Sequence, residues 1–408
     1  MSEVHAIDDN APEEARPDHR AIGARLELFH IQDEAPGMVF WHPRGFALIS
    51  RLEALVRRQL RRDGYEEVRS PQLLRQPIWE ASGHWQHFRG DMFVFDGDQP
   101  AALKPVSCPA HIEIARRRIS SYRGLPYRLA EFGLVHRNEA SGALSGLFRL
   151  RQFVQDDGHI FAAERDVVRE VARFCASAKA VYRALGWPAL EARLSLRPAD
   201  RAGSEAAWDQ AEKMLADAVA AAGLEAPPLP GGGAFYGPKI ELSLPDGAGK
   251  VWQCGTIQLD LVMPERFDLA FVDEDGQRKR PVMLHRALFG SFERMIGILL
   301  EHYRGVLPAW LCPEAAYVLP VGPEEEGRAA EVVEALFAKD ISARALDASR
   351  PLGARIKEAE KKRVPFVLVI GPRERASGEV ALRSKEGQVA LAAEAAVERI
   401  AAAVALPI

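Results

Sequence analysis

The chain has 408 residues, of which 48% are apolar and 27% are charged, and its formal charge is −4. This length predicts two or three domains of a soluble globular protein, and the small net charge argues neither for nor against a nucleic-acid partner. A membrane span is excluded, because no apolar run approaches the ~18 residues that one needs. The acidic N-terminus has no secretory signal, and four scattered cysteines without a CxxC pair indicate a reducing compartment. The predicted location is therefore cytoplasmic.

The N-terminal part of the chain alternates between a polar lead and helices. Residues 1–17 are predicted to be a disordered tail, and helical periodicity begins at Asp18. An amphipathic helix is predicted over 44–63, followed by an extended segment that Pro71 ends. A further Ala-rich helix is predicted over 205–223, before a cluster of prolines and glycines.

The remaining elements define two domains. Strand-like runs occur at IELSL, KVWQCGTIQLDLVM and FDLAFVD, and a helix is predicted over 291–305. Beyond a boundary near Trp310 the order βαβαββα predicts a compact α/β domain of roughly a hundred residues with a mixed sheet. The larger part before it, with hairpin-like strands and flanking helices, is predicted to be an antiparallel α+β core.

One hairpin-like segment, YRLAEFGLVHRNEASGALSGLFRLRQFVQDDGHIF, carries the clearest chemical signal. Arg137 and Glu139 stand one residue apart at the end of a strand-like run, so both are expected on the same face. An arginine pairs with phosphate oxygens, and a carboxylate accepts a hydrogen bond from the amino group of a base, so the pair suits a nucleotide. A surface hairpin with a salt-bridged face is the alternative, and this segment alone leaves both open.

Other candidate groups are ambiguous when taken singly. The glycine-rich GGGAFYGPK contains Tyr236 and Lys239 but has no P-loop spacing, and by itself it is more typical of a plain loop. Arg294, at the start of a predicted buried helix, suits a phosphate or else a structural pair with Glu293 or Glu301. The cysteines and histidines form no local cluster with metal-ligand spacing, so spacing alone does not predict a metal site.

Together, these segments resemble the threonyl-tRNA synthetases, a family of class II aminoacyl-tRNA synthetases, from about Asp18 to the C-terminus. Their order and spacing are highly specific, and the strings that carry the resemblance are DHRAIGARLELFHIQDEAPGMVFWHPRG, SGHW, LKPVSCPAH, SYRGLPYRLAEFGLVHRNEASGALSGLFRLRQFVQDDGHIF, GAFYGPKIE, WQCGTIQLD and PVMLHRALFGSFERMIGIL. The resemblance implies a class II catalytic domain over 18–309 and an anticodon-binding-like α/β domain over 310–408. Residues 44–71 match motif 1, which builds a dimer interface in the family, so a homodimer is expected.

The resemblance also assigns an expected role to individual residues. The predicted ATP contacts are Arg137 on the α-phosphate, Glu139 on the adenine amino group, Phe153 stacked on the adenine, and Gln253 and Arg294 on the nucleotide. A catalytic-site zinc ion is expected on Cys108, His159 and His285, with a coordination position left for substrate. Asp157 is expected to bind the substrate ammonium, and the pocket is expected to be lined by Gln155, Tyr236, Lys239, Gln258 and Ser291.

The implied reaction joins L-threonine to ATP and then to tRNA. The threonine carboxylate attacks the α-phosphate, assisted by the arginines and Mg²⁺, and the adenylate passes to the terminal ribose of threonine tRNA. His111 matches a histidine expected near that ribose hydroxyl. Arg137, Arg294, His111 and Lys239 are the residues expected to take part in the reaction itself.

The sequence departs from the family in two respects. Only about 17 residues precede the match, whereas bacterial members have a small N-terminal domain and an editing domain there, so a truncated form without cis editing is expected. In the C-terminal domain Ala376 and Lys385 replace an acidic residue and an arginine expected to touch anticodon bases. Two alternatives follow: a paralogue that activates threonine or a similar hydroxy amino acid for another acceptor, and a regulatory protein that kept the nucleotide fold.

Overall fold

The computed structural model describes residues 17–408, so the predicted disordered tail lies, except for its last residue, outside the described residues. The helices are α1 (His19–Arg25), α2 (Pro43–Arg62), α3 (Gln76–Ser82), α4 (His84–His87), α5 (Cys108–Ala115), α6 (Val167–Ala184), α7 (Glu205–Ala221), α8 (Met263–Arg266), α9 (Phe292–His302), α10 (Glu326–Phe337), α11 (Leu352–Lys361), α12 (Pro372–Ser377) and α13 (Ala393–Val404).

The strands are β1 (Phe29–His30), β2 (Phe40–Trp41), β3 (Glu66–Glu67), β4 (Leu73–Arg75), β5 (Val94–Phe95), β6 (Ala101–Leu103), β7 (Tyr127–His136), β8 (Gln152–Ala162), β9 (Glu191–Ser195), β10 (Pro228–Leu229), β11 (Lys239–Pro245), β12 (Val251–Asp260), β13 (Phe271–Val272), β14 (Arg278–Lys279), β15 (Val282–Ala287), β16 (Ala316–Pro320), β17 (Ala343–Ala345), β18 (Phe366–Ile370), β19 (Glu379–Ser384) and β20 (Gly387–Ala392).

An eight-stranded sheet organises the larger part of the chain, in the order β10-β9-β11-β12-β15-β8-β7-β3. Its central pairs are antiparallel, and only β10 with β9 and β3 with β7 at the two edges are parallel. The predicted α+β class with an antiparallel core is therefore confirmed. The helix predicted over 44–63 is α2, whereas α6, which packs beside it, was not predicted.

One face of this sheet is apolar and carries the helices. Along β11 the buried residues alternate with half-buried ones, because successive side chains of a strand point to opposite faces. The apolar set packs with the buried stripe of α2, where Leu48, Leu52, Leu55 and Val56 are fully buried, and with α6, α7 and α9. The opposite face retains the polar residues of the same strands, and this is the face where the candidate site lies.

A buried ion pair holds β8 and β15 together on the helical face. Arg286 on β15 donates to the backbone oxygen of Asp156 on β8 at 3.0 Å and lies 3.3 Å from its carboxylate. Asp156 also accepts from the backbone N–H groups of Leu288 and Phe289, and burial raises its pKa to about 6. A Cβ at Gly158 would lie 2.6 Å from Nε of Arg286, so only glycine leaves room for this guanidinium.

The C-terminal part forms a second sheet, in the order β17-β16-β18-β19-β20. Its first three strands are parallel and its last two pairs antiparallel, so the predicted mixed sheet is present. The predicted order βαβαββα missed the short helix α12 and the exposed edge strand β20. Arg44 and Arg51 of α2 donate to the backbone oxygens of Lys362 and Trp310, each at 2.7 Å, and so connect α2 to the residue after α11 and to the segment before β16.

A buried carboxylate on α9 makes the stability of the fold depend on pH. Both carboxylate oxygens of Glu293 accept from the backbone N–H of Val154 at 3.1 Å, and burial raises the pKa of Glu293 from 4.5 to about 8. A raised pKa in the folded state means that the stabilising contribution is complete below pH 4.5 and is lost as the pH rises towards 8. Each unit of difference corresponds to about 1.4 kcal/mol.

Glu293→Gln is expected to remove this loss, because glutamine stays neutral and still offers an oxygen to the N–H of Val154. The free energy of unfolding, measured in urea between pH 5 and 8, should therefore fall less steeply with pH in the variant than in the wild type. Glu334→Gln, at an exposed position of α10, is the matched control and should leave the slope unchanged. Parallel pH profiles for Glu293→Gln and wild type would contradict this account.

Candidate active site

The strand register places polar side chains from three neighbouring strands in one row on the open face of the large sheet. Gln258 of β12 pairs with His285 of β15, and His285 pairs with His159 of β8. On β8, Asp157 lies two residues before His159 and thus on the same face, where it is paired with Glu131 of β7. Residues that are far apart in the sequence are therefore neighbours because of the register.

Cys108, His159 and His285 form a group with donor atoms suited to a metal ion. Cys108 begins α5, and one donor atom from each of the three lies within 4.8 Å of the other two. All three are buried, and Nε2 of His159 lies 3.1 Å from Nδ1 of His285. Spacing in the sequence did not predict this group; the resemblance did.

The chemistry of these donors fits a zinc ion. One sulfur and two imidazole nitrogens are a set that zinc commonly takes, with a further position for substrate. Burial raises the pKa of the Cys108 thiol and lowers the pKa of His159, so a nearby cation is what would make the thiolate stable. Nε2 of His285 lies 2.9 Å from Oδ2 of Asp260, an outer carboxylate contact typical of histidines that bind metals.

Three of the residues predicted to contact the amino acid, Asp157, Tyr236 and Gln258, lie next to the candidate metal ligands. Asp157 accepts from the backbone N–H of Ser107 at 3.3 Å, and its other oxygen lies 3.8 Å from His159. The Tyr236 ring stacks on His285 at 4.8 Å, and its hydroxyl donates to Gln258. These residues therefore meet at the candidate metal group.

The other three residues predicted to line the pocket are Gln155, Ser291 and Lys239. Gln155 lies on the same face of β8 as Asp157, two residues earlier. Ser291 caps α9, and its hydroxyl accepts from the backbone N–H of Arg294 at 3.1 Å, so its hydroxyl already has one protein partner. The Lys239 ammonium lies 2.8 Å from the Glu241 carboxylate, and both are half-buried on β11.

The loop end of the β7–β8 hairpin, called the hairpin wall below, carries Arg137, whose Nε donates to the backbone oxygen of Pro105 at 3.3 Å. β7 stops at His136, so Arg137 lies just beyond the strand, with its guanidinium 5.3 Å from the Phe153 ring centroid and 5.8 Å from that of Phe88. Among the described residues no carboxylate lies within salt-bridge distance of Arg137. Glu139, in contrast, is paired with Arg149 at 2.9 Å, so the hairpin contains both the predicted salt bridge and an arginine available to an anion.

Arg294 is a second cation at this wall. Its Nε donates to the backbone oxygen of Phe148 at 3.0 Å and its Nη1 to that of Gln253 at 2.6 Å, while the guanidinium lies 5.5 Å from the Trp252 ring. The alternative pairing with Glu293 or Glu301 is not formed, because those carboxylates contact Val154 and His19. Burial lowers the pKa of both Arg137 and Arg294, so a bound anion would offset the cost of desolvating them.

Two histidines differ from expectation. His111 is fully buried, and its ring nitrogens face Glu131 at 3.0 Å and His159 at 2.7 Å, which leaves none for the predicted contact with a tRNA ribose. His84, in the string SGHW, had no predicted role. Its Nδ1 lies 2.9 Å from the Ser82 hydroxyl, and burial, together with the nearby guanidinium of Arg137, lowers its pKa to about 3.

This arrangement agrees with the families that the sequence matches. The profile described as tRNA synthetase class II core domain (G, H, P, S and T) matches residues 93–303, which is just over half of the chain, and the anticodon binding domain matches residues 315–403. The chain therefore belongs to the class II aminoacyl-tRNA synthetases.

Within this class, the relatives are threonine–tRNA ligases. Those of Cupriavidus pinatubonensis and Teredinibacter turnerae are each 48% identical to this chain, over 91% and 92% of its length respectively. The structure of the RNA binding domain of threonyl-tRNA synthetase from Cryptosporidium parvum is 36% identical, with a TM-score of 0.92 over 96% of this chain and 99% of that one. The chain is a member of the threonyl-tRNA synthetase family, and it spans 59% of the length of these two bacterial relatives.

More distant structures share the fold. A putative threonyl-tRNA synthetase from Aeropyrum pernix has a TM-score of 0.78 at 28% identity, over 94% of each chain. Across residues 17–408, no helix combines the length and the apolar character that crossing a bilayer requires.

Proposed function

We propose that this chain activates L-threonine with ATP and transfers it to threonine tRNA. The observation that carries the proposal is the meeting of Cys108, His159 and His285 with Asp157 on one sheet face. Two half-buried arginines, Arg137 and Arg294, are nearby, and within residues 17–408 no carboxylate lies at salt-bridge distance from either of them. The names of the relatives support the same reaction, because they are threonine–tRNA ligases. Zinc on the three donors and Mg²⁺ with ATP are the cofactors of this proposal.

The pocket would bind threonine through a metal cation and a carboxylate. The zinc ion would supply a Lewis acid for the amino and hydroxyl groups of threonine, held by Cys108, His159 and His285. Asp157 would accept from the substrate ammonium, and Gln155, Tyr236, Gln258 and Ser291 would line the pocket. Valine lacks the hydroxyl and would leave a polar site unsatisfied, whereas serine differs only by a methyl and would be rejected by about 10–200-fold.

The hairpin wall would hold ATP. Arg137 would contact the α-phosphate while Phe153, whose ring lies beside that guanidinium, would stack on the adenine. Glu139 would accept from the adenine amino group, and Gln253 and Arg294 would bind the nucleotide from the other side. Positive charge on both sides of the phosphate stabilises the transition state in which the threonine carboxylate attacks it. Lys239, which pairs with Glu241, would line the pocket on the polar face of the large sheet.

His111 is not proposed to touch the tRNA, because both of its ring nitrogens have protein partners. His84 is the better-placed imidazole for the second step, since only its Nδ1 has a hydrogen-bond partner among the described residues. The proposal also includes a cytoplasmic homodimer formed through α2 and the segment after it. Its support is the exposed apolar side chain of Phe46 on α2, which is 61% exposed.

A second candidate is the activation of threonine, or a similar hydroxy amino acid, for an acceptor other than tRNA. The observation that favours it is in the C-terminal domain. Ala376 on α12 and Lys385 in the turn between β19 and β20 are both exposed, where the family is expected to present an acidic residue and an arginine to anticodon bases. Alanine cannot accept a hydrogen bond from a base.

Amino-acid-dependent exchange of pyrophosphate into ATP tests the first step. We expect exchange with threonine, weaker exchange with serine and little with valine, and we expect Cys108→Ala or a zinc chelator to abolish it. Cys175→Ala, at a buried cysteine of α6 outside the site, is the matched control and should retain exchange. Exchange that survives both zinc removal and Cys108→Ala would contradict the proposal.

Charging of threonine tRNA at catalytic enzyme concentration distinguishes the two acceptors. Efficient charging supports the ligase. Threonine-dependent exchange without charging would support the second candidate.

A further inference from the structure

A buried hydrogen-bond chain leads from a lysine to one of the candidate zinc ligands. Lys104 is fully buried, and its ammonium donates to Glu131 at 2.7 Å and to the Ser70 hydroxyl at 2.8 Å. Glu131 also accepts from the backbone N–H and the hydroxyl of Ser70, at 3.1 and 2.7 Å. With a cation and two further donors pointing at it, the Glu131 carboxylate acts as an acceptor throughout.

The charge on Glu131 determines which ring nitrogen of His111, the next member of the hydrogen-bond chain, carries a proton. Nε2 of His111 lies 3.0 Å from the Glu131 carboxylate, which only accepts, so Nε2 carries a proton and donates. In the neutral form of His111 the other ring nitrogen, Nδ1, has a lone pair. Nδ1 of His111 lies 2.7 Å from Nδ1 of His159, so the His159 nitrogen must be the donor.

The consequence reaches the candidate metal group. Because Nδ1 of His159 carries the proton, its Nε2 has the free lone pair, and Nε2 is the atom that faces His285 at 3.1 Å. From the other side, Asp260 accepts from Nε2 of His285 at 2.9 Å and leaves the lone pair of that ring on Nδ1. Two lone pairs therefore face each other with no proton between them, as two ligands of one cation would.

We propose that His111 and Glu131 are positioning residues for the zinc ion: they set the tautomer and the ring orientation of the ligand His159. The inference rests on the zinc site of the proposed function. His285 is held by a carboxylate directly, whereas His159 is held through a second imidazole.

Two substitutions of His111 separate its two hydrogen bonds. In His111→Asn the amide lies near the position of Nδ1, so its oxygen can still accept from His159. In His111→Gln the amide reaches the position of Nε2, so it keeps the contact with Glu131 and leaves Nδ1 of His159 without an acceptor. The measurement is the dissociation constant of Zn²⁺, from competition with a chromophoric chelator, on the purified full chain after metal removal.

We expect His111→Gln to weaken zinc binding by about 10–100-fold, and His111→Asn to weaken it much less. Glu131→Gln should also weaken binding, because a neutral amide no longer fixes the proton of His111. Glu170→Gln removes an equally buried carboxylate, paired with Arg128 at 2.6 Å outside the site, and should leave zinc affinity unchanged. Urea unfolding of each metal-free variant verifies that the fold is retained.

The outcomes distinguish the positioning role of His111 from the existence of the zinc site. Equal zinc affinity in His111→Gln and wild type, or equal losses in the asparagine and glutamine variants, would overturn the positioning role while the zinc site stands. Failure of the wild-type protein to bind zinc would overturn the zinc site itself and the inference with it. The absorption spectrum of the Co²⁺-substituted protein is a second readout, and we expect it to change in His111→Gln and not in Glu170→Gln.

Discussion

Arg137→Gln is expected to lower the rate constant of threonine-dependent pyrophosphate exchange by about 10²–10³-fold, the usual cost of removing a preorganised donor from a developing charge. The reason is that this guanidinium has aromatic rings beside it and a backbone oxygen as its hydrogen-bond partner, with no carboxylate at salt-bridge distance among the described residues. Its charge is therefore available to the phosphate. Glutamine retains two donors but loses the charge, so the loss should be larger in the rate constant than in the Michaelis constant for threonine.

Arg137→Lys separates charge from geometry. Lysine keeps a positive charge but lacks the planar fork that binds two phosphate oxygens, so an intermediate loss is expected. Arg183→Gln, at an exposed position of α6, is the control and should leave the exchange rate within about twofold of the wild type. An Arg137→Gln enzyme with normal exchange would show that this guanidinium does not contact the reacting phosphate.

Arg286→Met is expected to reduce the free energy of unfolding by about 3–5 kcal/mol, the largest effect on stability that we predict. The substitution leaves the Asp156 carboxylate, which is 1% exposed, without its cation in the core between the sheet and the helices. The backbone N–H groups of Leu288 and Phe289 would remain as its partners. Urea unfolding is measured at pH 8. The pKa of Asp156 is raised only to about 6, so its carboxylate is ionised at this pH in the wild type.

A double-mutant cycle verifies that the cause is the unpaired charge. Asp156→Asn combined with Arg286→Met should cost less than the sum of the single substitutions, because no charge is then left buried. Arg169→Met removes an arginine whose side chain is 66% exposed from its pair with Asp166, and it should change stability by only about 0–1 kcal/mol. Additive effects of Asp156→Asn and Arg286→Met would contradict the ion-pair explanation.

The local patterns of the sequence predicted the elements that have strong periodicity. The amphipathic stripe of α2 and the Ala-rich α7 are where helical spacing places them, and the hairpin of β7 and β8 follows its alternating runs. Strand β20 was not predicted because its short, mixed sequence has no clear period, and its pairing with β19 is a tertiary effect. Helix α6 was not predicted, although its buried residues recur at helical spacing.

The site was less accessible to such reasoning. Cys108, His159 and His285 meet because of strand register and the start of α5, and no local spacing reports register between strands so distant in the sequence. The resemblance supplied their grouping but placed His111 at the tRNA, where burial and hydrogen bonding speak against it. The tautomer of an imidazole depends on partners from other strands, so the sequence contains no direct signal for it.

The two faces of β8 and β15 limit how this protein can change during evolution. His285 and Arg286 are adjacent, as are Asp157 and Gly158, and each neighbour serves the opposite face of the sheet. A single-residue insertion in β15 would turn Arg286 towards the substrate and His285 into the apolar core, so one event would destroy both the substrate pocket and the core. Length variation among descendants of this chain should therefore be confined to the loops, such as the turn between β13 and β14, and be absent from these two strands.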